Sequence, residues 1–372
     1  MTKVFRWVAV AAIVLAPATV LGTMAHADVA NNASATNVQQ GDNKASTSQN
    51  GTSKSGDAVG GQVTGVVSSG RTSVDATNKS DHVDVQTGDA RGTNNSAAFV
   101  GLNSSTTTAV GSAADLLNAS PVTNLQEGDN KYNLNQTLTA TSGDGVAGQV
   151  IGVVTSGGGS ASIVAANTST NVDIETGDAR AFNDAAAFVG LNSSSATGVA
   201  ADVLNTASAT NVQEGDNSLD ANQTATSKTG DGVGGQVLGV VSAGAASVDA
   251  TNKSDTVDIS TGDARSGNDF ASFVGLNQAS ATGIAAADLL NGAPASNVQE
   301  GDNKRSLSQD ASATSGDSVA GEVAGVVTSA GGSADLVLAN TSTNSDTSSG
   351  DGKFFNTDTS FTGLNVSPGI SI

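Results

Sequence analysis

Val59-Gly60-Gly61-Gln62-Val63-Thr64-Gly65-Val66-Val67 places valine, glycine, valine, glycine and valine at alternate positions. Period two with β-branched residues is the pattern of a strand with one packed face. Glycine between the valines lets another backbone approach closely, as in thin, tightly wound sheets. The rival is a helix, because Val59, Val63 and Val66 also share a helical face and Gly61 and Gly65 form a small-xxx-small pair. Each glycine would cost that helix about 1 kcal/mol, so the strand is favoured. The same face recurs at Val146, at Val233 and at Val319.

That recurrence belongs to a larger repeat. Asn-(Val/Leu)-Gln-x-Gly-Asp-Asn-x5-Gln occurs around Gly41, Gly128, Gly215 and Gly301, in steps of 87, 87 and 86 residues. Gly-Asp follows each at Gly56, Gly143, Gly230 and Gly316. Thr-Gly-Asp-Ala marks Gly88, Gly177 and Gly262, with a Ser-Gly-Asp-Gly variant at Gly350. Phe-x-Gly-Leu-Asn begins at Phe99, Phe188, Phe273 and Phe361. A fixed period is the signature of a repeat architecture. The units are 28–118, 119–205, 206–291 and 292–372. Units two and four hold two extra residues between the second and third markers, which points to duplication of an ancestral pair.

Residues 1–27 form a separate segment. Lys3 and Arg6 precede an apolar run over 8–21, and Ala25-His26-Ala27 supplies a small-x-small cleavage pattern. This predicts a secretory signal peptide, too short in its apolar core for a membrane anchor. The mature chain would start at Asp28 and be free in the medium or held at a surface by non-covalent contacts.

Composition narrows the chemistry. The absence of cysteine excludes disulfides, thiolate metal sites and thiol nucleophiles. His82 would be the only imidazole after removal of His26, and the net charge of −20 becomes −22 once Lys3 and Arg6 are lost. Such a field disfavours nucleic acid and anionic lipid. Ile, Leu, Val and Phe make up about a fifth of the chain, at the border of disorder. Low charge content, few prolines and regular apolar spacing argue against disorder.

Downstream, Val83, Val85 and Thr87 alternate with Asp84 and Gln86, and units two and three repeat this half-buried strand pattern. Gly-Asp then marks a turn, since glycine tolerates positive φ and aspartate bonds its own backbone. Only 114–118, 201–205 and 287–291 read as single helical turns. Strands of about 5 to 8 residues at this spacing predict an all-β fold. The favoured architecture is a repetitive β-solenoid, a β-helix-like rod of four repeats. Each unit would form about four coils of roughly 22 residues, giving a rod of about 75 Å. The alternative is a string of β-sandwich beads, with Pro121 and Pro294 at junctions. In coils of that size, amides of the first motif would recur only every fourth coil and would not stack.

Gln39-x-Gly41-Asp42-Asn43-Lys44-Ala45-x3-Gln49 resembles the curlin repeat, Gln-x-Gly-x-x-Asn-x-Ala-x3-Gln, with Gly and Asn one residue closer. Tyr132, Leu219 and Arg305 stand at or beside the alanine position in the other units. Curlins are secreted bacterial subunits that stack as β-solenoids into adhesive fibres. The resemblance implies a bacterial surface or matrix protein.

The markers offer oxygen ligands of the kind Ca²⁺ takes. No Asp-x-Asp-x-Asp loop or calcium-roll nonapeptide is present, however, so ordinary turn chemistry is favoured. Carboxylate pairs suited to glycoside hydrolysis recur in every unit, whereas an enzyme site is rarely built in quadruplicate. His82 has no histidine counterpart and reads as a solvated edge residue, and no phosphate-cradling Gly-Lys-Ser/Thr loop exists. Arg91, Arg180 and Arg265 are placed to pair with neighbouring carboxylates. No catalytic, cofactor or metal residue is assigned. The expected function is a secreted structural or adhesive repeat protein of the cell surface or extracellular matrix, without catalysis. Its expected partners are itself or surface polymers, with neither nucleic acid nor membrane insertion. The alternative is a passive binder of calcium or another ligand along a repetitive β-face, an ice-binding face included.

Overall fold

The computed structural model describes residues 29–371 apart from 31–34, 70–71, 112–115, 118–121, 157–160, 201–202, 205–208, 245, 286–288, 291–294, 330–333 and 367–368. The described residues are all-β, without a helix, and their sheets are parallel. Neighbouring strands come from successive repeat units. Asn130 pairs with Asn43 on one side and Asn217 on the other, and the register holds through Thr141.

Four sheets carry most of the molecule. The glutamine sheet stacks Asn43–Lys54, Asn130–Thr141, Asn217–Lys228 and Asn303–Thr314. The valine sheet stacks Ala58–Ser69, Gly145–Ser156, Gly232–Ala243 and Ser318–Ser329. The asparagine sheet runs through Thr72–Ser80, Ala161–Ser169, Ala246–Ser260 and Ala334–Ser348. The phenylalanine sheet contains Ala90–Gly111, Ala179–Ala200, Ala264–Ala285 and Gly352–Val366. A smaller sheet of Ala35–Gln40 and its counterparts precedes the glutamine sheet.

Within each unit the chain runs out through the glutamine and valine strands and returns through the asparagine and phenylalanine strands. The interior lies between these two layers. Ile151, Val153, Leu238 and Val240 meet Val74, Ile163 and Val248 in one core cluster. Tyr132, Leu134 and Leu219 meet Val189, Phe270 and Val274 in another. Arg305 takes the interior column of Tyr132 and Leu219 in the last unit, with its guanidinium paired to Asp358 and 5.7 Å from the Phe270 ring centre. Among the described residues no further layer covers this one, and the arginine stem covers it while its guanidinium reaches water.

Several expectations are corrected. Each unit contributes one long strand to each main sheet, and the phenylalanine-sheet strands reach 22 residues, so the unit is not divided into coils of about 22. Four strands span three steps of about 4.8 Å, a stack of roughly 14 Å rather than a rod of about 75 Å. The supposed helical turns contain strands at Leu116–Leu117, Val203–Leu204 and Leu289–Leu290, paired with one another. Residues 1–27, Pro121 and Pro294 lie outside the described residues. The two extra residues of units two and four fall between Ser156 and Ala161, and between Ser329 and Ala334. Strands on both sides of these positions keep their register.

Candidate functional site: stacked side-chain columns

In-register parallel pairing lays equivalent side chains over one another. Gln136, Gln223 and Gln309 each donate from Nε2 to Oε1 of the preceding glutamine at 2.7, 2.8 and 2.8 Å, starting from Gln49. Across the interior, Asn94, Asn183 and Asn268 donate forward to the next asparagine at 3.0, 2.9 and 2.8 Å. The two columns also clasp the opposite backbone. Gln49 donates to the Asn95 carbonyl at 2.8 Å, and Asn183 donates to the Thr224 carbonyl at 2.8 Å. Asn78, Asn167, Asn252 and Asn340 form a third amide column, linked at 3.1, 2.9 and 3.0 Å. Amides of the first motif therefore do stack, because each unit places that motif once in every layer.

The Gly-Asp markers are corners, and their carboxylates join layers. Asp42 accepts the Asp129 backbone N–H at 3.1 Å, and Asp129 accepts that of Asp216 at 2.9 Å. Asp57, Asp144 and Asp231 form a second such column, and Asp89, Asp178 and Asp263 a third. Lys44 beside Asp42, together with the Asp129 N–H, holds that carboxyl below its ordinary range. For Asp263 the Asp351 N–H is the larger cause and Arg265 the second. Burial pushes Asp269 the other way. Arg180 and Arg265 meet Asp178 and Asp263 at 2.7 and 2.8 Å, and Arg91 pairs with Asp89, as their spacing suggested.

This is turn chemistry with an interlayer partner. Among the described residues, no group of three or more His, Cys, Asp or Glu is placed to hold a metal. Nor is any described helix long and apolar enough to cross a membrane. His82 is exposed between Thr72–Ser80 and Val83–Gln86, two strands of the asparagine sheet.

Outward positions form columns too. Phe99, Phe188, Phe273 and Phe361 stack with ring centres 4.9, 5.1 and 5.2 Å apart. Gly101 follows with φ +68°, and a Cβ there would stand 1.9 Å from the Asn130 side chain. Gly101 shifts the alternation by one residue within the strand, so Leu102 is exposed as Phe99 is.

The valine sheet reverses its expected orientation. Val59, Val63 and Val67, with their counterparts in every unit, are exposed rather than packed. The opposite parity faces the interior, with Ala147, Gln149, Ile151 and Val153 buried in unit two. Both parities carry valine in unit one, and the larger Ile151 and Leu238 were the signal for the inward one. Gln149 and Gln236 there border a cavity of about 300 Å³ with Glu322. Gln236 donates to Gln149 Oε1 at 3.2 Å and to Ser169 Oγ at 2.9 Å. Glu322 replaces the next glutamine, and Gln236 Oε1 is left without a hydrogen-bond partner.

Comparison with known proteins finds no matching family model, no matching curated protein and no matching solved structure. The repeated columns are therefore interpreted from their own geometry.

Proposed function

We propose that this chain is a secreted bacterial structural or adhesive protein of the cell surface or extracellular matrix, without catalytic activity. In this reading the parallel sheets are a short β-solenoid in which each repeat unit is one coil. The observation that carries it is that equivalent side chains recur at equivalent heights, inside as amide columns and outside as valine, phenylalanine and aspartate columns. Identical weak sites in a rigid array act together and raise avidity without a single strong site. The signal-like segment at 1–27 supports export, and the net charge of −20 keeps the free chain soluble.

The test is retention. Purified protein is applied to cells and abiotic surfaces while pH and Ca²⁺ are varied, and light scattering is followed in parallel. Binding and association should rise near pH 4, where aspartates protonate. Protein that remains monomeric and washes off under every condition defeats the reading. A second reading, passive calcium binding, draws on the Asp57, Asp144, Asp231 and Asp317 column, where no Lys or Arg stands two residues on as it does beside Asp42. A β-sheet circular dichroism signal that requires Ca²⁺ would favour it.

A further inference from the structure

The outer face of the valine sheet is a plate of ridges and troughs. Columns beginning at Val59, Val63 and Val67 form three ridges, and columns beginning at Gly61 and Gly65 lie between them. Exposure persists through the stack, from 81% at Val63 to 38% at Val150, 45% at Val237 and 60% at Val323.

The glycine columns differ in what the fold demands. A Cβ on Gly61 would stand 2.3 Å from the Gly148 carbonyl oxygen and one on Gly235 2.7 Å from that of Gly321, so close backbone approach accounts for those two glycines. The Gly65, Gly152, Gly239 and Gly325 column has nothing within 4 Å of an added Cβ and no positive φ. Glycine inside a strand weakens it, and nothing among the described residues requires four of them here. A surface packed against this face would.

We propose that this plate docks against the same plate of a second copy of the chain, the valine ridges of each filling the glycine troughs of the other. A shift of two residues along the strand, about 6.6 Å, brings ridge over trough. The surface is self-complementary, so a twofold pairing closes at two copies. Nine residues by four strands cover about 30 by 19 Å, on the order of 550 Å² per copy. The pair would bury about 1,100 Å², enough for a specific interface. Charge selects the same occupant. The outward positions from Val59 to Val67 and their counterparts carry no charged residue, so two chains of −20 can meet here with the least repulsion. This inference rests on sheet geometry and not on export, so a chain that fails to bind surfaces can still pass its test.

Sedimentation velocity of the full chain over a concentration series reads the outcome. Wild type should form dimers, more strongly as salt screens the net charge. V150E/V237E should associate at least about tenfold more weakly with an unchanged circular dichroism spectrum. Should the glutamates disturb the sheet, V150T/V237T, nearly isosteric and polar, should shift the equilibrium the same way. G152V/G239V is the sharper variant. It adds apolar surface, so general stickiness would increase association, whereas filled troughs should abolish the pair. A wild type monomeric at every concentration and salt overturns the proposal. So does a glutamate or trough-filled variant that associates as well as wild type. Wild type that stays monomeric but floats with uncharged phosphatidylcholine vesicles would assign the plate to lipid instead.

Discussion

Gln49, Gln136, Gln223 and Gln309 form one column in the glutamine sheet, and Gln39, Gln126, Gln213 and Gln299 form another in the smaller sheet before it. Residue type and vertical register are the same, yet only the first column is linked from layer to layer. Its central amides bond up and down the stack and across to carbonyls such as those of Asp184 and Asp269. In the second column Gln126 and Gln213 are fully buried, and neither amide atom of either residue has a hydrogen-bond partner. Stacking identical amides is therefore not itself stabilising. An amide column strengthens the fold when the opposite layer supplies partners for the hydrogens that the stack leaves over, and otherwise adds the cost of buried unpaired groups.

The contrast predicts substitutions of opposite sign. The largest effect is expected at Gln223. Alanine there removes the donor to Gln136 and the acceptor for Gln309, and opens a cavity between fully packed layers. Urea unfolding should show a loss of about 3 kcal/mol or more. Gln213→Met, in the unpaired column, removes two unsatisfied buried atoms at similar volume and should raise stability by about 1 to 2 kcal/mol. If both substitutions destabilise alike, the difference between the columns is not energetic.

Glu322→Gln sharpens the same point at a column end. The new Nε2 can donate to the orphan Gln236 Oε1, as Gln236 donates to Gln149. A gain of about 1 kcal/mol is expected at neutral pH, read as a higher urea midpoint. A lower midpoint would show that Glu322 is held by other contacts, such as the 2.6 Å bond from Ser254 Oγ.

The smallest effect concerns the corner aspartates. Asp42 and Asp263 have folded pKa values lowered from 3.8, so their contribution is complete above that value and lost as pH falls through the lowered one. Thermal melts should therefore shift downward below about pH 4. Asp263→Asn retains an oxygen for the Asp351 N–H but loses the charge, and should flatten part of that acid limb. An unchanged limb would remove the corner carboxylates from the acid response.

Much of this arrangement was legible in the residues. Alternation at Val83, Val85 and Thr87 matches the strand at Val83–Gln86, where Val85 is buried, and the Gly-Asp pairs do lie at corners. The recurring Gln and Asn positions were visible, but their stacking was not, because sequence periodicity does not reveal how many turns the chain makes between copies. The valine stretch was assigned the wrong inward face for a related reason. Alternation gives two faces, and only the opposing layer selects one. Here that layer brings the column of Asn78 and Asn167, together with Ile163, against the parity containing Gln149 and Ile151.

The sequence by itself determined the repeat period, the strand-forming segments, the corner chemistry and the acidic charge, since each depends on residues close together in the chain or on composition. Tertiary structure alone decided that one unit spans one layer, that the valines face outward and that one glutamine column is paired while its neighbour is not. Those outcomes depend on partners in another unit or across the interior. Hydrogen bonding and burial are set by which groups meet in space, and a single strand does not encode its neighbour.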